Sequence, residues 1–176
     1  MGARIPALVV AMPESRIPDP TLMARLQLSV KGVDWAASLV RGHQHEVPPG
    51  HEWSPHQHLV HLLEVETGNY HVRLERMLSE EMPRLEPRVM EARPDLEALD
   101  IEELAERFMA ARAKTYEVFK GLAPGQWSRA ATWPDGTEVD VAWLAEKVLW
   151  HALDHFATLL DMHQSFETKQ ARAWQG

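Results

Sequence analysis

Apolar residues recur along this chain at steps of three and four in four separate stretches, the spacing of helices that each bury one face. The first holds Leu22, Leu26, Val30, Val33, Ala37 and Val40, opened by Asp19-Pro20 as cap and first-turn proline and closed at Gly42. The second opens at Ser54-Pro55-His56-Gln57, a capping serine with a glutamine placed to complete a capping box, and runs to about Leu78. Its main stripe is Leu59, Leu63, Tyr70, Leu74 and Met77, and a second arc carries His61, Val65 and Val72. A third stripe, Ile101, Leu104, Phe108, Ala111, Thr115, Val118 and Leu122, follows an Asp100/Glu103 capping box and ends near Gly121. The fourth, Val141, Leu144, Ala145, Val148, Ala152, Phe156 and Leu159, is capped by Asp140 and continues to about His163.

The segments between these stripes decide the topology. Residues 80–99 contain Pro83, Pro87 and Pro94 and little periodicity, which predicts a long crossover that lets the second and third helices run parallel. Ahead of the fourth helix, Asp135-Gly136 between two short strand-capable segments predicts a β-hairpin. The expected fold is all-α: a four-helix bundle running up-down-down-up, with a long helix 2–helix 3 crossover and a short hairpin before the last helix. Pro6, Pro13 and Pro18, with no helical period around them, mark residues 1–18 as an N-terminal arm. Residues 19–165 then form the bundle and 166–176 a C-terminal tail.

Composition narrows the chemistry. A chain of 176 residues, 45% hydrophobic, supplies one continuous core. No apolar run reaches the length of a membrane span, and Ala7–Met12 lacks the features of a secretory signal, so a cytoplasmic protein with no membrane partner is expected. A formal charge of −8 and the lack of a basic stripe argue against a nucleic-acid partner. The chain has no cysteine, which rules out disulfides, thiolate nucleophiles and Cys-type zinc sites. A transition-metal site would have to be built from imidazole and carboxylate, and ten histidines are present.

His151 and His155 lie four residues apart on the flank of the fourth stripe, stacked on one helix face, a spacing that lets both reach one ion. The competing reading is a pair of core-edge histidines satisfied by carbonyls or water. Two histidines from one helix leave an ion under-coordinated, so a further ligand must come from another helix. The second helix offers His56, His58, His61 and His71. His56, in the first turn, and His71, between Glu64 and Glu75, read as solvated; periodicity does not decide between His58 and His61.

The tryptophan-led second helix (Trp53-Ser54-Pro55, with His61 eight residues after the Trp), the crossover, Asp135-Gly136 and the His151/His155 pair together resemble the DinB-like superfamily. The resemblance spans about residues 20–163. It implies a three-histidine metal site formed by His61, His151 and His155, holding a divalent ion such as zinc, nickel or iron. It also implies thiol-dependent S-transferase or isomerase chemistry with a low-molecular-weight thiol such as mycothiol, bacillithiol or glutathione, in detoxification or stress response, and a homodimer. Three neutral imidazoles leave coordination positions open to a small-molecule substrate or thiol. A metal-dependent hydrolase and a non-catalytic metal-binding stress protein are the alternatives. Phe156-Ala157 after His155 departs from the more polar continuation of many members and predicts a more apolar pocket rim.

Other features have simpler readings. Trp53, Trp127, Trp133, Trp143 and Trp150 fall near helix ends, where such rings plug the core. Glu64 and Asp154 neighbour the histidines and are candidates to orient them or act as a base, although surface carboxylates are commoner. His163 reads as a favourable charge at the C-terminus of the last helix.

Overall fold

The computed structural model describes residues 19–87 and 92–173; the predicted arm, part of the crossover and the last three residues lie outside them. The helices are α1 (Leu22–Leu39), α2 (Pro55–Val65), α3 (His71–Ser79), α4 (Pro94–Glu97), α5 (Ile101–Lys120) and α6 (Val141–Ala173). A π-helical turn, Glu66–Tyr70, joins α2 to α3, so the two together form the predicted second helix. Within that turn the Thr67 hydroxyl donates back to the Leu63 carbonyl at 2.9 Å, a bond that competes with the regular ladder.

The local signals act as the chain chemistry requires. Ser54 accepts from the Gln57 N–H at 3.3 Å while the Gln57 side chain accepts from the Ser54 N–H at 2.8 Å, completing the capping box of α2. Asp100 caps α5 through the Glu103 N–H at 2.8 Å. The box expected there is only half formed, because the Glu103 carboxylate accepts from Arg107 at 2.6 Å one turn on. Asp140 caps α6 through the Trp143 N–H at 2.7 Å. The hairpin is β1 (Ala130–Thr132) paired antiparallel with β2 (Glu138–Asp140), and Gly136 takes the positive φ of 90° that its turn needs. The crossover chain adds backbone bonds to β1, Leu85 N–H to the Thr132 carbonyl and Thr132 N–H to the Pro83 carbonyl.

Helix directions follow from the side chains that meet. His56 donates to the Leu99 carbonyl just before α5, and His71 to the Ala111 carbonyl farther along it, so α2–α3 and α5 run parallel. His58 meets His155 and His61 meets His151, so α2 and α6 are antiparallel. Leu22 and Leu26 share a core with Val141 and Leu144, and Val33 to Val40 share one with Leu159, Met162 and Phe166, so α1 and α6 run parallel. This is the up-down-down-up bundle.

The last helix exceeds its expected end. Met162 and Phe166 continue the stripe beyond Leu159, both are buried, and the Phe166 ring stacks on His43 at 4.4 Å, so α6 runs through much of the predicted tail. His163 therefore lies inside the helix, too far from its end to act on the terminal dipole. Among the described residues no helix is long and apolar enough to cross a membrane.

Candidate metal centre

Between α2 and α6 the bundle carries imidazoles in place of a hydrocarbon seam. His61 Nε2 lies 3.1 Å from His151 Nε2, and His58 Nδ1 lies 2.8 Å from His155 Nδ1. The His151 and His155 ring centres are 4.8 Å apart, as the four-residue spacing predicts, and that of His61 is 5.1 Å from His155. One ring nitrogen from each of His61, His151 and His155 lies within 4.8 Å of the other two, the only group among the described residues that meets the geometry of a metal site. Helical periodicity left His58 and His61 open, and the fold brings both to α6.

Three of these imidazoles, His58, His151 and His155, are held neutral. Burial first, and then His61, Arg112 and Lys147, push His151 down to about 3 from the usual 6.5. Burial and the imidazoles of His151, His58 and His61 push His155 down to about 3. His58 is lowered to about 4 by burial and by the coulombic effect of His51 and His61. A neutral imidazole has a lone pair to offer a cation, and the Nδ1 atom of His151 is buried with no hydrogen-bond partner among the described residues. A divalent ion suits this donor set, which lacks the anionic ligand that a closed structural site would carry.

Other positions turned out differently from expectation. His56 is buried, not solvated, because its Nε2–H donates to the Leu99 carbonyl at 2.8 Å. His71 is half-buried and donates to the Ala111 carbonyl at 3.0 Å. Glu64 is 2% exposed, whereas Asp154 is exposed on the outer side of α6. Of the tryptophans, Trp127 stacks on Phe119 and Trp133 meets Trp143 edge-on, as core plugs do. Trp150 is exposed. Trp53 packs its ring 5.3 Å from that of His58 and 5.1 Å from that of His61.

A cavity of about 590 Å³ opens beside His61, lined also by His45, Trp53, His56, Val60, Glu64 and Arg93. Its wall mixes imidazole, carboxylate and guanidinium with one indole, a lining more polar than the apolar rim that Phe156-Ala157 suggested.

Sequence reasoning passed over a second buried polar group. Glu66 and Arg112, 0% and 2% exposed at the side chain, form an ion pair at 2.8 Å. Glu66 also accepts from the Thr115 hydroxyl, and Arg112 donates to the Val148 carbonyl at 3.3 Å. The signal was present: Arg112 lies four residues after Phe108, and Glu66 four after Leu62, each one turn on from a core residue.

Fold and site together define a helical bundle with a histidine centre able to take a divalent metal. The DinB superfamily model matches residues 35–159, and the chain belongs to that superfamily. No curated protein matches it. Among solved structures it is similar to YfiT from Bacillus subtilis, described as a probable metal-dependent hydrolase with an unusual four-helix bundle topology. The TM-score is 0.76 at 18% identity, over 88% of this chain and 93% of that one, which is a likeness of fold.

Proposed function

We propose that this protein is a metal-dependent enzyme in which His61, His151 and His155 hold one divalent cation beside the Trp53-walled cavity, where a small nucleophile attacks a polar electrophile. The observation that carries this reading is the convergence of three imidazoles, with His151 and His155 kept uncharged by burial, at the edge of a cavity that His61 itself lines. A divalent ion bound there supplies Lewis acidity, which lowers the pKa of a coordinated water or thiol toward neutrality. The chain's own groups prepare the place. Trp53 covers the His58 and His61 rings and restricts water, and the His56 bond to Leu99 fixes the cavity wall across to α5. Glu64 and Arg93 give that wall polar contacts for a substrate.

Hydrolysis is the favoured reaction, supported by the polar lining and by the description of YfiT, whose fold the chain shares. Thiol-dependent S-transfer is the second reading. The family resemblance supports it, and in a chain without cysteine the sulfur would come from a low-molecular-weight thiol. Zinc, nickel and iron all suit a three-imidazole set.

Cobalt-loaded protein separates the two reactions. Hydrolysis predicts turnover of an ester or amide panel that is lost in His155→Ala, with no sulfur-to-cobalt charge-transfer band on adding glutathione, bacillithiol or mycothiol. A band with any of these thiols, without ester or amide turnover, replaces hydrolysis with S-transfer. Metal content unchanged in a His151→Ala/His155→Ala variant removes the site altogether.

A further inference from the structure

His58 lies outside the three-histidine group, yet its Nδ1 sits 2.8 Å from Nδ1 of His155, closer than any other ring contact at the site. An imidazole has two ring nitrogens, and on His155 one of them is occupied by this contact. The nitrogen left for an ion is Nε2. An imidazole that presents a lone pair at Nε2 must carry its proton at Nδ1. That proton then lies on the line to His58 Nδ1, which accepts it, and the proton of His58 goes to its own Nε2. The alternative arrangement, with His58 donating, would put an N–H on His155 Nε2 and close that nitrogen to a cation.

We infer that His58 is a positioning residue for the proposed metal centre: by accepting the Nδ1–H of His155 it fixes the tautomer and ring orientation in which His155 Nε2 is a ligand. The inference rests on the metal-site reading for its purpose, though its tautomer claim concerns the metal-free protein too. Metal-bound histidines generally donate their other ring N–H to a carboxylate, carbonyl or water, and loss of such a partner costs about 10- to 100-fold in metal affinity. An imidazole in that place is uncommon, and here its own setting is built. Trp53 packs on its ring at 5.3 Å, and the ring stands edge-on to His155 at 5.0 Å.

Two-bond nitrogen–proton correlation spectra of the metal-free protein, with the imidazoles labelled, read the tautomer directly. The expected result is His155 protonated at Nδ1 and His58 at Nε2, with the His155 tautomer becoming mixed in His58→Phe. In parallel, zinc titration should show His58→Phe still taking one ion per chain at about 10- to 100-fold weaker affinity, and His58→Gln, whose amide oxygen can accept the same proton, recovering most of that loss. Three results would overturn the assignment: His155 found as the Nε2–H tautomer in the parent protein, unchanged zinc affinity in His58→Phe, or stoichiometric loss of zinc in both His58 variants, which would make His58 a ligand. A parent protein that binds no zinc, nickel or iron refutes the metal reading, while the tautomer spectrum still decides the role of His58 toward His155.

Discussion

Two groups of polar side chains are withdrawn from water one helical turn apart along α6, and they are built on opposite plans. The Glu66–Arg112 pair brings its own countercharge. The carboxylate has the guanidinium at 2.8 Å and the Thr115 hydroxyl, and the guanidinium is also tied to the Val148 carbonyl and lies 5.1 Å from the centre of the Phe108 ring. The Nη2–Oε2 approach is off the line of the N–H, and Arg112 Nε has no hydrogen-bond partner among the described residues, so the pair is held mainly by charge. The histidine group brings no countercharge. Its members face one another at 2.8 and 3.1 Å, with His58, His151 and His155 held neutral, so each contact needs a proton or a cation between its two nitrogens. A closed pair needs nothing further, whereas the converging imidazoles bring three ring nitrogens within reach of one cation, which is why the proposed metal belongs to the second group and not to the first.

Breaking the closed pair should have the largest effect. Arg112→Met strands the Glu66 carboxylate in the core and is expected to cost about 3–5 kcal/mol in urea denaturation, or roughly 6–20 °C in melting temperature for a chain of this size. The double variant Arg112→Met/Glu66→Leu should recover most of that, since an apolar pair of similar volume often matches a buried ion pair. A loss below about 1 kcal/mol in the single variant would show that the pair is not held as described.

The histidines should behave in the reverse way. His155→Leu is expected to reduce zinc affinity by more than about 100-fold, beyond the usual cost of losing a partner of a ligand. Stability of the metal-free protein should fall by no more than about 1–3 kcal/mol, the cost of leaving His58 without its contact to His155. Large destabilisation with zinc binding intact would move this residue into the structural class.

Metal itself should stabilise the fold. At about 100 times its Kd an ion that binds only the native state adds about 2.7 kcal/mol, read as a melting temperature raised by roughly 5–11 °C. A chelator should reverse this without loss of the helical circular dichroism, since two buried apolar clusters hold the helices together without the ion. Repeating the measurement in Arg112→Met/Glu66→Leu sharpens the contrast. An increment that differs by more than about 0.5 kcal/mol would show coupling between the two groups.

The metal-free protein should also respond to pH. His151 and His155 have folded-state values of about 3, below the usual 6.5 of an unfolded histidine. Between those limits the unfolded chain binds more protons than the native one, so stability falls as pH is lowered from about 6.5 toward 3. Melting temperature against pH should show this decline, and His151→Leu/His155→Leu should flatten it. An unchanged slope in that variant would place the responsible groups elsewhere.

The sequence by itself determined the bundle, because each helix is specified by residues near to one another. A stripe at steps of three and four, a serine with a glutamine three positions later, and Asp135-Gly136 between short strands act over a few residues, where spacing and geometry coincide. The length of the proline-interrupted crossover allowed the second and third helices to run parallel, and the contacts of His56 and His71 with the α5 segment show that they do. His151 and His155 were legible as a pair because one turn of one helix relates them. Their relation to α2 was not: His58 and His61 lie on neighbouring arcs of that helix, and their distances to α6 depend on how two helices 90 or more residues apart in sequence pack. Burial was likewise decided in three dimensions. His56 and Glu64 read as surface residues until α5 and the cavity wall closed over them, and Glu66 reached Arg112 only when α5 was laid alongside the π-turn. A polar side chain enters a core only where another element supplies its partner, and the identity of that partner is a property of the packed molecule.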